Sequence, residues 1–230
     1  MHIPDGYLSP QTYIPLYGAF VTSVIIAVKK VRKEISFRNI PFLGMASAFS
    51  FIIMMFNIPI PGGSSGHAVG AAVIAIILGP WSAIIGISVA VIVQALVFGD
   101  GGITSIGANC FNMAVINPVV AYFVFMIFYK LFKKKNKIGL FAFLSGYISL
   151  SFTALIAAIE LGTQPLIAGA SDGKALYCPY SLKITIPTMT IEHLFLFSII
   201  EGIITALIVK YFVKTEPHLV YFLNQSKISD

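Results

Sequence analysis

The chain has 230 residues, of which 57% are hydrophobic and only 10% charged, and its mean hydropathy is +0.90. A soluble domain carries about 25% charged residues, so this composition excludes a water-soluble globule and specifies an integral membrane protein. The net charge of +6 would suggest nucleic acid in a soluble protein; here it is first tested as a topology signal.

A helix needs about 20 apolar residues to cross the hydrocarbon core. Seven apolar runs bounded by charge, Pro or Gly predict an all-α protein of seven transmembrane helices, at 13–28, 41–57, 68–78, 81–98, 110–129, 138–160 and 189–209. They are read as one membrane domain covering 1–230. The third run is short, and Gly79-Pro80-Trp81 leaves almost no loop before the fourth, so these two are expected to form a tight antiparallel hairpin. Ala19, Ser23 and Ala27 share a face of the first run, Gly44 and Ala48 a face of the second, and Gly86 and Ala90 a face of the fourth. Such small-residue faces let backbones pack closely, within the bundle or against a partner.

The basic residues orient the helices. With the N-terminus outside, the inner segments hold Lys29, Lys30, Arg32, Lys33 and Arg38, then Lys130, Lys133, Lys134, Lys135 and Lys137, then Lys210, Lys214 and Lys227; only Lys174 and Lys183 fall outside. The positive-inside rule gives N-out and C-in. The positive charge is thereby a topology mark, and nucleic acid is not needed to explain it. The inner face carries short loops and a brief tail, so recognition is expected from outside. No G-x-x-x-x-G-K-[ST] phosphate loop occurs, so this chain has no ATP site. Cys110 and Cys178 are too few and too irregularly placed for a disulfide framework or a zinc ribbon.

The opening Met1-His2-Ile3-Pro4-Asp5-Gly6 lacks the basic region and cleavage site of a signal peptide, so Met1 is expected to be the mature end with a free amine. The Met1 amine, the deprotonated His2 amide nitrogen and the His2 imidazole can close two fused chelate rings around one metal ion, with three nitrogens nearly in a plane. A fourth nitrogen completes a square, a geometry favoured by Ni(II) or Cu(II) over zinc or magnesium. Pro4 stiffens the turn that follows and Gly6 permits a fold back toward the bilayer. Three of the four histidines, His2, His67 and His193, fall at or near the outer face, and His218 lies in the inner tail. His67, in a stretch rich in Pro and Gly before the third run, is either a structural residue or the fourth nitrogen.

The loop from Gly99 to Asn109 is neither a dinucleotide fingerprint nor a phosphate loop. Asp100, Asn109 and Asn112 either supply hydrogen bonds that orient the imidazoles or cap a tight turn. His193, at the start of the seventh run, is a further candidate to line the same cavity. Glu201 lies near the middle of that run, where an acid must face protein or a wet cavity. It either pairs with a buried polar group, the reading favoured here, or forms part of an ion path.

Met1-His2-Ile3-Pro4-Asp5-Gly6, Gly66-His67, Phe98-Gly99-Asp100-Gly101-Gly102 through Gly107-Ala108-Asn109 with Phe111-Asn112-Met113, and Glu201-Gly202-Ile203-Ile204-Thr205 together resemble the CbiM/NikM family over nearly the whole chain. Its members are substrate-binding membrane components of energy-coupling factor transporters for cobalt and nickel in prokaryotic cell membranes. The resemblance implies that Ni(II) or Co(II) is held from outside by the Met1 amine, the His2 amide and imidazole, and His67. It also implies a transmembrane coupling subunit and two cytoplasmic ATPases, whose hydrolysis reorients this protein to release the ion inward. Gly44 and Ala48 are the positions expected to meet the coupling subunit. A small accessory membrane subunit is expected on another polypeptide. Nickel is preferred because a four-nitrogen square suits low-spin Ni(II), although Co(II) can also be accommodated.

Two other classes are weighed beside this one. An intramembrane serine protease would use Gly63-Ser64-Ser65-Gly66 with His193, and an ion-coupled secondary transporter would use Glu201; the lack of internal repeats argues against the latter.

Overall fold

The structure, a computed structural model, describes residues 1–34, 40–60, 64–169 and 175–226. Arg38, Lys174 and Lys227, used in orienting the helices, lie outside these residues, as do Pro61, Gly62 and Gly63. Helix α1 (Pro10–Glu34) is followed by α2 (Ile40–Met54), a two-stranded antiparallel ribbon of β1 (Ile58–Ile60) and β2 (Ser64–Gly66), and then α3 (Ala71–Leu78) and α4 (Pro80–Val93). Helix α5 (Ile106–Cys110) runs into α6 (Asn117–Phe132), and α7 (Ile138–Gly162) precedes the single turn α8 (Gln164–Ile167). Helix α9 (Leu182–Glu192) runs into α10 (Ser198–Thr215), and α11 (Tyr221–Ser226) closes the described chain.

Among the described residues five helical runs are long and apolar enough to cross a bilayer: Pro10–Lys33, Pro80–Phe98, Ile106–Phe132, Ile138–Ile167 and Leu182–Thr215. Their outward side chains are themselves apolar. Phe195 is 75% exposed and Leu207 65%, a surface that would aggregate in water and is matched by lipid. The last run begins seven residues earlier than hydropathy places it, because α9 continues through Pro187 as a helix. The segment between the second and third runs is partly the β ribbon, with Ile58 opposite Gly66.

The short third run is realised as α3, eight residues or about 12 Å at 1.5 Å per residue, against a core of about 30 Å. Every residue from Ala71 to Ile77 is buried, and α3 packs against α4, α6, α7 and α10. It is a half-helix enclosed by the others. Gly79 alone joins it to α4, with φ 88°, and Pro80 stands at the first turn of α4, where a missing N–H costs nothing. Small residues set the closest helix contacts. A Cβ on Gly86 would stand 3.3 Å from Ser47 Oγ, and one on Gly146 would stand 2.9 Å from Thr205 Oγ1, so α4 lies against α2 and α7 against α10.

The two ends of the bundle differ in chemistry. Phe132 packs beside Phe141, and the Lys210 stem lies near Gly139. The basic end of α6, the start of α7 and the basic end of α10 are thus neighbours. Helix α1 enters at the opposite end, where the Tyr17 hydroxyl donates to the Ile103 carbonyl at 2.7 Å. Its Lys29, Lys30, Arg32 and Lys33 begin roughly 18 Å further along the helix. Among the described residues three helices carry a π-helical turn: Gln94–Phe98 after α4, Phe111–Ile116 between α5 and α6, and His193–Phe197 between α9 and α10. Such turns are frequent at functional sites.

Candidate functional site

The first residues enter the protein. Met1, His2 and Ile3 are 1%, 4% and 0% exposed. A segment without secondary structure can be buried only if its main-chain groups find partners, and here nearly every residue supplies one. The Ile3 N–H donates to Asn109 Oδ1 at 2.8 Å, while Asn109 Nδ2 and the Gly102 N–H donate to the Ile3 carbonyl at 3.0 and 2.9 Å. Ser64 Oγ donates to the His2 carbonyl at 3.3 Å and Ser105 Oγ to the Pro4 carbonyl at 3.2 Å. The Asp5 carboxylate accepts the N–H groups of Ile103 and Thr104 at 3.0 and 2.8 Å and the Thr104 hydroxyl at 2.5 Å. Gly6 then turns the chain with φ 79°. Further on, the Cys178 N–H donates to the Tyr7 carbonyl and the Ser9 N–H to Gln164 Oε1.

This anchoring brings the amine and two imidazoles together. The Met1 amine donates to the Ser65 carbonyl and lies 3.3 Å from Ser65 Oγ. The His2 and His67 rings stack with centroids 4.7 Å apart and 29° between planes. His67 Nδ1 lies 3.0 Å from the Ala68 carbonyl, so Nδ1 carries the hydrogen and Nε2 presents a lone pair. Both His2 ring nitrogens and His67 Nε2 are buried without a hydrogen bond among the described residues. Asp100 Oδ1 approaches His2 Nδ1 to 3.4 Å, while its Oδ2 accepts Asn57 Nδ2 at 2.9 Å. The Gln94 side chain stands beside the His2 ring from the first π-helical turn.

Burial decides the protonation of this group, because a charge without water is costly. Desolvation pushes the Met1 amine down from 8.0 to about 4, with Asp100 pulling the other way. Desolvation, then the amine's charge, pushes His2 down to about 3, with Gln94 opposing. Desolvation likewise holds His67 well below 6.5, reinforced by the amine and His2. At neutral pH the amine and both imidazoles are free bases whose lone pairs are open to a cation. Among the described residues no three His, Cys, Asp or Glu side chains form a metal-holding group. A metal ion here would draw on terminal and main-chain nitrogens as well as imidazoles.

The candidates read from the sequence divide accordingly. Met1, His2, His67 and Asp100 converge. Asn109 makes no hydrogen bond to the imidazoles among the described residues; it grips Ile3 as a neighbouring strand would, fixing the segment that carries His2. Asn112 lies elsewhere, donating to Glu160 Oε2 at 2.7 Å. His193 bonds through Nδ1 to the Met189 carbonyl at 2.7 Å, and its Nε2 has no partner among the described residues. It therefore forms no dyad with Ser64 or Ser65. Glu201 pairs with main chain, as favoured from the sequence: its Oε2 accepts the Val69 and Gly70 N–H groups at 2.8 and 2.9 Å, at the start of α3. Gly44 and Ala48 face outward on α2, away from buried Ala46 and Ser50, and a Cβ on Gly44 would meet nothing. Cys110 and Cys178 are buried and free. Asp5, Gln94 and Gln164 also support the N-terminal segment. The only signal for Asp5 was its place in the opening motif, and the two glutamines offered none.

The glycines explain why the loop tolerates so close an approach. A Cβ on Gly102 would collide with the Asp5 nitrogen and stand 2.6 Å from the Pro4 carbonyl carbon, both main chain and unable to yield. Gly102→Ala is expected to expel the N-terminal segment. Isothermal titration should then find metal affinity reduced on the order of 100-fold, about 3 kcal/mol, and unchanged affinity would sink the packing argument.

Residues 2–219 match the family described as cobalt uptake substrate-specific transmembrane region, CbiM. The chain is 43% identical over 225 residues to the fused nickel transport protein NikMN of Rhodobacter capsulatus, covering 96% of this chain and 64% of that protein. It is 40% identical over 220 residues to a putative metal transport protein of Methanocaldococcus jannaschii, covering 95% and 94% of the two chains. It is 31% identical over 217 residues to the cobalt transport protein CbiM of Clostridium tetani, covering 93% and 85%. The crystal structure of a truncated transition metal transporter superposes with a TM-score of 0.90 at 46% identity, covering 93% of this chain and 99% of that one.

Proposed function

Since this chain belongs to the CbiM family of nickel and cobalt transport proteins, which are not enzymes, we propose that it captures Ni(II), or Co(II) as the alternative, from outside the cell. The Met1 amine, the His2 amide nitrogen, the His2 imidazole and His67 Nε2 are the proposed ligands. The observation that carries this reading is the buried cluster of one neutral amine and two imidazoles with unpartnered nitrogens, held by a segment anchored at nearly every residue. An interior pays for unsatisfied polar atoms, and a cation shared among them removes that cost. Asp100 Oδ1, 3.4 Å from the His2 Nδ1 that the fused chelate would use, would place a negative charge beside the ion.

The proposed setting is a single membrane domain in a prokaryotic cell membrane, with seven helices counted by including α2 and α3, the N-terminus outside and the basic end inside. The segregation of the described basic clusters at the end away from His2 supports that orientation. A transmembrane coupling subunit and two cytoplasmic ATPases would supply the energy, and the exposed Gly44 and Ala48 face of α2 would meet the coupling subunit. An accessory membrane subunit is proposed beside them.

Purified protein is expected to take up about one Ni(II) per chain and to turn yellow, the colour of planar nickel. His67→Ala should lose binding by more than about 10-fold. Ser65→Ala should keep it, because the amine also bonds the Ser65 main chain. Equal binding by the His67 variant would overturn the proposed ligand set.

Protonation gives an independent check. With the amine at about 4 and His2 at about 3, both are already deprotonated at pH 7, and only the His2 amide has a proton to lose. Calorimetry in buffers of different ionisation enthalpy should therefore find about one proton released per ion at pH 7; an amine at its usual value would raise the count toward two. The same depression links to folding with a definite sign. Between pH 4 and 8 the unfolded chain holds a proton on the amine that the folded chain does not, so the amine's contribution to stability rises with pH across that window.

A further inference from the structure

We propose that Asp100 is the entry residue of the metal site: its carboxylate takes the hydrated cation at the surface and passes it to His2 Nδ1, which lies 3.4 Å from Oδ1. The inference rests on the proposed metal site and adds to it the route and the rate by which the ion arrives.

Access is the difficulty that the geometry raises. Met1, His2 and His67 are all buried, so the proposed donors are closed to an ion that carries its water shell. Among the described residues Asp100 is the acidic side chain that both reaches water, at 22% exposure, and meets a proposed donor directly. Ser65 is also partly exposed beside the amine, but its hydroxyl is neutral and its carbonyl already holds the Met1 amine.

Two elements hold the carboxylate in that place. Gly99, with φ 67°, and Gly101, with φ 91°, flank Asp100 in a turn open to glycine, and the Asp100 N–H donates to the Gln94 carbonyl at 3.0 Å. Gly101 packs against the His2 ring, where a Cβ would stand 3.2 Å from Cδ2. From the other side Asn57 Nδ2 donates to Asp100 Oδ2 at 2.9 Å, leaving Oδ1 toward His2. Asn57 directly precedes Ile58, and Gly66, the ribbon partner of Ile58, directly precedes His67. The hydrogen bond therefore joins the His67 end of the ribbon to the loop that lies on His2, and Asp100 stands at the seam between them.

A carboxylate at the seam acts on the step that limits the rate. A hydrated divalent ion first rests beside a nitrogen site with its water shell intact, and each incoming nitrogen then displaces one water to the bulk. The observed rate is the population of that outer complex multiplied by the rate of water loss. A negative charge at the mouth raises the population, whereas water loss belongs to the ion. No bond from the metal to Asp100 is needed, because its oxygens accept hydrogen bonds from the coordinated waters. The sign of the salt effect identifies this charge. The chain's net charge of +6 repels a cation, so screening it would quicken association, whereas screening a carboxylate within a Debye length of about 8 Å slows it.

The test is stopped-flow absorption in detergent, mixing purified protein with Ni(II) or Co(II) over a series of salt concentrations, for the wild type, Asp100→Asn and Asp100→Glu. Wild-type association should slow as salt rises. Asp100→Asn keeps the shape of the side chain and removes its charge, so association should fall on the order of 10-fold and its slowing with salt should vanish. The factor should be the same for both ions, although Co(II) loses water faster, because the change lies in the outer complex. Asp100→Glu should restore the slowing with salt, and dissociation should change far less than association. Three results overturn the inference: wild-type association that ignores salt or quickens with it, an Asp100→Asn protein that associates as fast as the wild type, or a loss confined to dissociation, which would make Asp100 only a counter-charge of the bound ion. The first needs no variant and holds even if Asp100→Asn fails to fold. Failure of the wild type to bind either ion would overturn the metal site itself, whereas binding together with any of the three results would remove only the entry role.

Discussion

Adding one residue ahead of Met1 is expected to abolish Ni(II) and Co(II) binding while leaving the protein folded. The extra residue converts the amine into an amide, whose lone pair is delocalised and no longer a good donor to a metal. It also has nowhere to go. The Met1 amine is buried against the Ser65 carbonyl and hydroxyl, and sliding the chain to restore an amine at that place would break the register set two residues later. Asn109 and Gly102 hold both main-chain groups of Ile3, and Asp5 holds Ile103 and Thr104. The chelate ring closed by the amine and the His2 amide would be lost with that ligand. The loss should be on the order of 1000-fold, about 4 kcal/mol, measured by equilibrium dialysis in detergent with helical content and unfolding temperature as controls. An extended protein that binds as tightly as the wild type would leave the amine without a role.

Much of this arrangement is legible in the sequence, and what is not has a physical cause. Hydropathy locates the five long apolar helical runs because burial in lipid leaves its mark on every residue of a run. It cannot reveal that Ala71–Leu78 is a half-helix enclosed by others, since a helix facing protein and one facing lipid are equally apolar. The Met1-His2 pair is legible because the proposed chelate is local, formed by adjacent residues. Its supports are not: Asn109 meets Ile3 across 106 positions and Gln164 meets Ser9 across 155, and no one-dimensional pattern links them. Asn112 shows the converse error. Three positions beyond Asn109, it is an equally plausible partner for the imidazoles from the sequence, yet the π-helical turn that starts at Phe111 intervenes and Asn112 meets Glu160. The β ribbon was hidden for a different reason, because three-residue strands of Ile-Pro-Ile and Ser-Ser-Gly carry no alternation long enough to read.

Removing the Glu201 carboxylate is the second change expected to have a large effect. The first N–H groups of a helix have no partner within it, and inside a bilayer no water stands in for one. Helix α3 begins in this situation, and a single side chain 131 residues beyond Gly70 resolves it: Glu201 Oε2 accepts from Val69 and Gly70, with further support from the Ala71 and Ala72 N–H groups. The carboxylate also faces the positive end of the helix dipole. Glu201→Leu would leave at least two buried donors orphaned at about 1–3 kcal/mol each, so a loss on the order of 4 kcal/mol is expected. Glu201→Gln keeps one acceptor oxygen and should cost about 1–2 kcal/mol. Because Val69 follows His67 by two residues, slack at the start of α3 should also loosen the imidazole. Metal affinity should therefore fall in the same order, Leu below Gln below wild type. Unfolding in mixed detergent and nickel titration on the same samples would check this ranking. An ion path through Glu201 makes the opposite forecast: Gln would stop transport while leaving stability and binding untouched. That outcome would refute the structural role, whereas a Gln variant that still transports nickel would leave the carboxylate as the cap of α3 and nothing more.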